Sequence, residues 1–389
     1  MNPQENQQPT NSPWVLVIAA LVLTTYVWMF LHAESQVAVA IMLVVASVLV
    51  VLSRRLGASR KIEDAAIAGP GLTRTLAVLA GVALIAAFHD NHFVLLMLCA
   101  VLLFSTACLG LTVQFGYAGV ANFAGAAFFG IGSYATAVMV THTAVPHLLV
   151  VVISGLIAAA IGSVLILPVL RTRGHYAALV TIAFGILFKT FVEVNDVLGG
   201  PQGLQVPGMK LLGFAFNEGI QIPGVEISFY VPYALLSLFI FGGVYALVSA
   251  LERSWIGLSM DVIRTDETAA STFGLHIARW KVIAFTMGNF FAGIAGSMYG
   301  MVSGFVAPNN FTFADSLLML SIVLLGGLGS LVGLVPAALI VLILPEKLQF
   351  IQEYRFLIFA SLVIVILLFR PQGLLPRKTR IFFRGEASK

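Results

Sequence analysis

The chain has 389 residues, of which 59% are hydrophobic and only 10% charged, and its formal net charge is +4. Apolar runs of about 16 to 24 residues recur along it, which is the length needed to cross roughly 30 Å of hydrocarbon. This composition excludes an ordinary soluble globular protein. The small excess of basic residues does not require nucleic acid as a partner.

The hydrophobic runs predict an all-α integral membrane protein, a polytopic bundle of about 10–12 spans that includes broken or re-entrant helices. The polar amino end lacks the basic region of a secretory signal, so the first run is expected to remain as an anchor. The predicted spans are 14–31, 36–52, 75–90, 92–113, 118–140, 147–170, 176–194, 229–251, 281–301, a broken pair at 316–328 and 331–345, and 354–369.

Basic residues predict the orientation of these spans. With the amino end inside, 17 of the 21 Lys and Arg residues fall on the inner side, as the positive-inside rule requires. The inner segments are 53–74, 171–175, 252–281 and the tail from residue 370. Both termini are therefore expected to be cytoplasmic, and the cations of 53–74 and of the tail are expected to face anionic lipid.

The sequence GGLGSLVG (Gly326–Gly333) interrupts the run that begins at residue 316. One kinked span here would put the basic tail outside, whereas two short spans or a re-entrant hairpin keep it inside. A non-helical break at membrane depth must be buried in protein or line water, and in other transporters such breaks offer backbone groups to a polar substrate. The translocation path is therefore predicted to include Gly326, Gly327 and Gly329.

A second candidate for the path is NFAGAAFFGIGSY (Asn122–Tyr134), which is rich in small residues. Asn122, Ala126 and Gly130 are spaced four apart and form a stripe along which helices can approach closely. Asn122 is polar at membrane depth, where such a group seeks a partner or a wet cavity. Packing is the favoured interpretation for the glycines. The path hypothesis covers Asn122, Phe123, Gly125, Gly130 and Tyr134.

A short polar stretch, RTDETAASTFGLHIARWK (Arg264–Lys281), lies between two membrane-length runs. Thr265 is predicted to cap a helix of about two turns, because its hydroxyl can accept a backbone hydrogen bond. Asp266 and Glu267 suit the amino end of the helix dipole, and Gly274 suits a left-handed stop. Helical spacing predicts one stripe, which consists of Asp266, Ala269, Ala270 and Phe273. Such a helix could dock into a groove on a soluble partner. An ordinary capped loop is the alternative.

Catalytic patterns are missing from the sequence. The dipeptide Gly-Lys does not occur, so there is no phosphate-cradling loop of an ATPase, and zinc-protease and serine-hydrolase patterns are also lacking. The chain is therefore not expected to be an enzyme, and no catalytic, cofactor-binding or metal-binding residues are assigned. If transport is driven by ATP, another chain hydrolyses the ATP.

Several stretches resemble the membrane subunits of branched-chain amino acid ABC importers of the LivM type. The resemblance covers roughly residues 92–380 and keeps the family's order and spacing. The matching stretches are GLTVQFGYAGVANFAGAAFFGIGSYATA (Gly110–Ala137), RTRGHYAALVTIAFG (Arg171–Gly185), GGPQGL (Gly199–Leu204), Arg264–Lys281, GFVAPNNFTFADSLLMLSIVLLGGLGSLVG (Gly304–Gly333) and LFRPQGLLP (Leu368–Pro376).

The resemblance implies a permease that forms half of a heterodimeric pore in the bacterial inner membrane. It implies that Thr265–Gly274 is the coupling helix, through which ATPase subunits push on the permease. The implied partners are a second homologous permease subunit, two ATP-binding subunits and an extracytoplasmic substrate-binding protein. The expected cargo is a branched-chain or related amino acid, imported by alternating access.

Three parts are expected along the chain. Residues 1–74 hold the amino-terminal tail, two anchor spans and a basic cytoplasmic loop, residues 75–380 form the permease core, and residues 381–389 form a basic cytoplasmic tail. Two alternatives stay open for the function. One is the same machine with urea or short amides as cargo. The other is a self-sufficient channel or ion-coupled carrier, for which more charged residues at membrane depth would be expected.

Overall fold

A computed structural model describes residues 13–33, 35–55, 62, 65, 69–171, 175–211, 213–218, 226–347, 354, 357, 361, 364, 368 and 373–377. Regular structure in this part is almost entirely helical, and the only strands it holds are four of two residues each. Eight of the described helices are long and apolar enough to cross a membrane. The prediction of an all-α, polytopic membrane protein is confirmed.

The elements follow one another in a simple order. The helices are α1 (Pro13–His32), α2 (Gln36–Arg55), α3 (Pro70–Ala87), α4 (His92–Leu111), α5 (Gly125–His142), α6 (His147–Arg171), α7 (His175–Val194), α8 (Tyr230–Arg253), α9 (Trp255–Thr265), α10 (Glu267–Thr272), α11 (Ile277–Ser303), α12 (Phe313–Gly326), α13 (Leu334–Ala338) and α14 (Leu344–Lys347). π-Helical segments occupy Thr112–Tyr117 and Leu339–Ile343, and 3₁₀ turns occupy Asp196–Leu198, Gly200–Gln202, Phe216–Glu218 and Pro308–Asn310. The strands pair antiparallel, β1 (Leu204–Gln205) with β4 (Phe305–Val306) and β2 (Lys210–Leu211) with β3 (Phe214–Ala215).

Local sequence explains where several helices begin and end. The side chain of Asn91 caps α4 by accepting the Val94 N–H at 3.1 Å, and Thr312 and Asp315 form a capping box at the start of α12. Gly304 ends α11 with φ of 68°, in the left-handed region. Polar residues thus set the helix boundaries, while the apolar runs supply the spans between them.

The predicted span 118–140 needs a correction. The helix there is α5 and begins only at Gly125, because α4 continues as the π-helical segment Thr112–Tyr117 and residues 118–124 form an irregular connection. The backbone of this connection is held by the Val120 N–H, which donates to the Gln114 carbonyl at 2.8 Å. Apolar composition predicted a span here, but it could not show that the first seven residues leave the helix.

The long helix α11 lies at the centre of the bundle and packs on α4, α5 and α6. Small residues make this possible, since Gly110 faces the backbone of Gly288 and Gly132 faces the backbone of Gly293. A methyl group at either position would run into main-chain atoms. Close approach through small residues is the usual way in which helices associate in a membrane.

The bundle has two distinct ends. At one, here called the basic end, Arg74 donates to Ser249 Oγ at 2.7 Å and Arg377 pairs with Asp261. At the other, here called the loop end, the β1–β4 pair joins residues 204–205 to 305–306. These contacts between residues far apart in sequence bring predicted inner segments together at the basic end and predicted outer segments together at the loop end.

The interrupted segment Phe313–Lys347 forms two short antiparallel helical stretches. α12 runs toward the basic end, the chain turns between Gly326 and Gly333, whose backbones touch, and the second stretch returns. Lys347 then lies at the end of α1, where its Nζ donates to the carbonyl oxygens of Leu31 at 2.7 Å and Ala33 at 3.1 Å. The expected broken pair is thus present, with its turn at the basic end of the bundle. The tails 1–12 and 378–389, most of 56–68 and most of the predicted span 354–369 lie outside the described residues.

Candidate functional site

The helix α10 stands at the basic end as a separate turn and a half between α9 and α11. Its amino end is capped by Asp266, whose Oδ1 accepts the N–H groups of Thr268 at 2.8 Å and Ala269 at 3.0 Å. The sequence-based choice of Thr265 as the cap was wrong. Thr265 is the last residue of α9, and its hydroxyl donates to the Asp261 carbonyl at 2.8 Å.

The carboxyl end of α10 matches the sequence-based expectation. Gly274 has φ of 78° and stops the helix in the left-handed conformation. A Cβ there would meet no atom within 4 Å, so the backbone conformation alone calls for glycine. Phe273, just before it, is 82% exposed. A large aromatic side chain therefore projects from the tip of the helix.

The predicted stripe on α10 divides into two sets. Ala270 is fully buried against the rest of the chain, so it anchors the helix and cannot meet a partner. Asp266 and Ala269 instead face an open crease of about 290 Å³, which is lined by Asp261, Val262, Thr265, Asp266 and Ala269. Glu267 ties the helix to α11, since its Oε1 lies 2.6 Å from Lys281 Nζ.

A cluster of three amide side chains lies buried in the bundle and contains Asn122. Asn122 Nδ2 donates to Gln114 Oε1 at 2.9 Å and to Asn289 Oδ1 at 3.1 Å, and Gln114 Nε2 donates to Asn289 Oδ1 at 2.9 Å. Each of the three residues is at most 2% exposed. Asn289 Nδ2 has no hydrogen-bond partner among the described residues. A polar network at this depth is unusual in a membrane bundle and is a candidate functional feature.

The backbone around the amide cluster is irregular on one side. Gln114 lies in the π-helical segment Thr112–Tyr117, a form of helix that is found often at functional sites. Asn122 Oδ1 accepts the Ala124 N–H at 2.9 Å and so fixes the turn into α5. Two polar side chains are thereby directed at Asn289 on the regular helix α11.

The other path candidates on α5 surround an aromatic patch. Gly130 lies against the rings of Phe188 and Phe311, and the ring of Tyr134 meets the same two rings edge-on, with centroid distances of 6.3 and 6.0 Å. The Tyr134 hydroxyl is buried without a partner among the described residues. Gly130 is therefore packed closely against two aromatic rings, and the Tyr134 hydroxyl is a buried polar group without a partner in the described part of the chain.

Phe123 and Gly125 lie at the entrance of α5. The Phe123 N–H donates to Thr181 Oγ1 on α7 at 3.1 Å, and the Phe123 side chain is partly exposed. Gly125 is buried beside Leu111 and Met319. These two residues therefore connect α5 with three neighbouring helices.

Gly326, Gly327 and Gly329 lie in the turn between the two short helices, away from Tyr134. Gly327 and Gly329 have φ of 111° and 80°. The carbonyl oxygen of Gly326 accepts the Leu375 N–H at 3.3 Å, so this group is already bonded within the chain. Gly329 packs against Gly116, which lies in the same π-helical segment as Gln114. The two sets of path candidates are thus connected through residues 114–117.

Sequence reasoning missed three polar residues that the structure brings to Asn122 and α5: Gln114, Asn289 and Ser316. Ser316 Oγ accepts the Ala126 N–H at 3.1 Å. Asn289 is an amide within the predicted span 281–301, so the argument applied to Asn122 would have found it, whereas Gln114 follows the end of the predicted span 92–113 and was not considered at membrane depth. Their mutual contact could not be read, because it joins segments that are 175 residues apart.

Comparison with known proteins decides the family. A family model described as "Branched-chain amino acid transport system / permease component" matches residues 93–369. The chain belongs to this permease family. The permease is 35% identical over 289 residues to the high-affinity branched-chain amino acid transport system permease protein LivM of Escherichia coli K12, a match that covers 69% of this chain and 66% of the relative.

Other relatives carry related names. The permease is 25% identical over 293 residues to the permease protein LivH of Escherichia coli K12, covering 70% of this chain and 91% of the relative. It is 24% identical over 325 residues to a probable branched-chain amino acid transport permease protein LivM of Methanocaldococcus jannaschii. This match covers 71% of this chain and 91% of the relative. The permease spans slightly less than two thirds of the length of the Escherichia coli LivM protein. No solved structure matches it.

Proposed function

We propose that this chain is the membrane-spanning permease subunit of an ATP-driven importer, which moves branched-chain or related amino acids into the cytoplasm. The observation that carries the proposal is α10: a short capped helix at the basic end of the bundle, with an aromatic tip that is 82% exposed at Phe273. The chain carries no phosphate-binding loop of its own. A helix of this shape therefore serves to receive force from a separate ATPase.

The proposed assembly contains several chains. Two ATP-binding subunits would hydrolyse the ATP, and each would seat a coupling helix such as α10 in a surface groove. Similarity to both LivM and LivH proteins supports a second, homologous permease subunit as the other half of the pore. An extracytoplasmic binding protein would deliver the amino acid at the loop end. The surrounding lipid is the remaining partner, and nucleic acid is not one.

The proposed orientation puts the basic end in the cytoplasm of a bacterial cell, in its inner membrane. Arg74, Arg253, Arg264, Arg279 and Lys281 lie on helices at that end, which agrees with the positive-inside rule. Both termini would then be cytoplasmic. The loop end, with its short strands, would face the binding protein.

The proposed mechanism is alternating access. ATP binding would move α10, and the irregular segments would open the path to one side at a time. The buried amide cluster supports a path beside α5, because unpaired amide and hydroxyl groups can bond the charged ends of an amino acid. The proposed path residues are Asn122, Phe123, Gly125, Gly130, Tyr134, Gly326, Gly327 and Gly329.

The test is ATPase stimulation in liposomes that hold the permease with its partner chains. A panel of binding proteins would be loaded with leucine, isoleucine, valine, urea or a short amide. Stimulation and uptake with the three branched-chain amino acids are the expected result. Stimulation by urea or amides alone would reassign the cargo, and uptake by this chain without any ATPase would overturn the proposed mechanism.

A further inference from the structure

The segment 373–377, near the carboxyl end of the chain, folds back onto the turn between α12 and α13. The Leu374 N–H donates to the Leu325 carbonyl at 2.8 Å, and the Leu375 N–H donates to the Gly326 carbonyl at 3.3 Å. Gly373 has φ of 81° and lies against Gly327, where a side chain would not fit. The segment is thus attached to the last turn of α12 by its own backbone.

Arg377 extends from this segment to two other helices. Its Nη1 and Nη2 lie 2.6 and 2.8 Å from the two carboxylate oxygens of Asp261 on α9, and its Nε lies 3.0 Å from Glu252 Oε1 on α8. The two-point contact with Asp261 fits the planar fork of arginine, which lysine cannot reproduce. One guanidinium therefore holds two carboxylates on two different helices.

The same guanidinium also touches the irregular part of the bundle. Its central carbon lies 4.4 Å from the centre of the Tyr117 ring, at the end of the π-helical segment. Its Cδ lies 3.0 Å from the place where a Cβ would stand on Gly329. The side chains of Arg377 and Glu252 are only 16% and 15% exposed. Arg377 thus contacts α9 on one side and the Tyr117 ring and Gly329 on the other.

Electrostatics keep this contact charged. Burial by itself would lower the pKa of Arg377, but the hydrogen bond and the negative charge of Asp261, together with the charge of Glu252, outweigh burial and raise the pKa above its ordinary value. Removing Arg377 would leave the partly buried carboxylates of Asp261 and Glu252 without their cationic partner, which destabilises the arrangement. The ion pairs of Arg377 with Asp261 and Glu252 therefore act as one unit, in which the pairs form or break together.

Asp261 connects the ion pairs of Arg377 with the crease beside α10. Asp261 lies on α9, five residues before the cap residue Asp266, and it lines the same crease as Ala269 of α10. Tyr117, on the other side of the guanidinium, ends the segment that carries Gln114 of the amide cluster. α9 packs directly on the Tyr117 segment, and Arg377 adds a connection from α9 to the turn at Gly326–Gly333.

We propose that Arg377 is a positioning residue of the transport cycle, a latch that makes the turn at Gly326–Gly333 and the Tyr117 segment move together with α9 and α10. The proposal rests on the proposed function, because it assumes that a partner ATPase pushes on α10. With the latch closed, motion at the crease is transmitted to the path. With the latch removed, the ATPase still turns over while the path no longer follows it.

The test compares Arg377→Gln and Arg377→Lys with the matched control Arg253→Gln in the reconstituted complex. Arg253 is a second arginine at the basic end, exposed at the end of α8, and no ion pair joins it to the described residues. Uptake and ATP hydrolysis are measured together. In Arg377→Gln, uptake per ATP is expected to fall about tenfold, within the range typical of coupling between two sites. ATP hydrolysis should persist in Arg377→Gln. Uptake per ATP in Arg377→Lys should lie between the values for the wild type and for Arg377→Gln.

Each outcome decides the proposal. A wild-type uptake per ATP in Arg377→Gln overturns it, and so does an equal loss of hydrolysis and uptake, because that pattern indicates defective assembly. If Arg377→Gln does not reach the membrane, Arg377→Lys replaces it under the same criteria. If the wild-type complex shows no ATP-driven uptake, the proposed function fails. The latch is then judged by hydrogen exchange of the isolated chain, where unchanged exchange at 326–333 and in α10 after Arg377→Gln would refute it.

Discussion

Oδ1 of Asn289 lies 2.9 Å from Nε2 of Gln114, although 175 residues separate the two side chains along the sequence. The contact joins the central helix α11 to the π-helical end of α4, and it also supports Asn122, which donates to both residues. Buried amides of this kind are costly when they lose a partner, because no water replaces the missing bond. The pair therefore couples the regular helix α11 to the irregular, π-helical end of α4.

The first prediction concerns this pair. Gln114→Met and Asn289→Leu should each lower the free energy of unfolding by about 1–3 kcal/mol, because each leaves buried amide groups unpaired. Together they should cost less than their sum by about 0.5–3 kcal/mol, since they share a hydrogen bond. Unfolding in mixed micelles measures the cycle. Ser105→Ala, which removes a buried hydroxyl without a partner among the described residues, is the control. Strict additivity would mean that the pair is not coupled.

The second prediction separates packing from cargo contact at Tyr134. The hydroxyl is buried and has no partner among the described residues, while the ring packs on Phe188 and Phe311. Tyr134→Phe keeps the ring, so thermal unfolding should be unchanged. If the hydroxyl bonds the amino acid in transit, the substrate concentration at half-maximal uptake should rise about fivefold to tenfold, which corresponds to one lost hydrogen bond. Unchanged uptake would remove Tyr134 from the path.

A third prediction tests the docking role of α10. Phe273→Asp should abolish ATP-dependent uptake while the protein stays folded, because an 82% exposed side chain contributes little to this chain's own stability. Gly274→Val should have the same effect through strain, since φ is 78° there. Phe273→Leu, which keeps an apolar tip, serves as the control. Binding of purified ATPase subunits reports docking directly, and wild-type uptake in both variants would exclude this role.

The corrected helix cap gives a fourth prediction. Asp266→Ala removes the side chain that accepts the Thr268 and Ala269 N–H groups, so α10 should lose about 1 kcal/mol of local stability. Thr265→Ala should leave α10 unchanged, because Thr265 bonds to Asp261 of the preceding helix. Hydrogen exchange at Thr268 and Ala269 distinguishes the two variants. Faster exchange in Thr265→Ala alone would restore the original assignment of the cap.

The residues around α10 also show which structural features could be predicted from the sequence. Gly274 was readable as a left-handed stop because glycine has that conformational freedom by itself. The residue that caps the helix could not be predicted, since Thr265 and Asp266 are both good cap residues and only the path of the backbone selects one of them. The burial of Ala270 was likewise hidden, because helical spacing gives a face but does not tell what covers it.

Long-range contacts set the other limit. The apolar runs predicted the spans, and the basic residues predicted that the interrupted segment would form a pair. The partners of Asn122 and of Arg377 could not be predicted, because each contact joins segments that periodicity treats separately. Arg377 and Asp261, for example, lie 116 residues apart. Local chemistry is visible in one sequence, whereas the meeting of distant side chains depends on the packed bundle.

The last prediction compares two helical glycines that differ only in their surroundings. A Cβ on Gly130 would lie 2.8 Å from the rings of Phe188 and Phe311, while a Cβ on Gly242 would meet nothing within 4 Å. Gly130→Ala should therefore destabilise the protein by about 1–3 kcal/mol through overpacking. Gly242→Ala should stabilise it by about 0.5–1 kcal/mol, because alanine loses less conformational entropy in a helix. Unfolding in mixed micelles measures both changes. Equal effects at the two positions would show that Gly130 is not a packing contact and would strengthen its assignment to an open path.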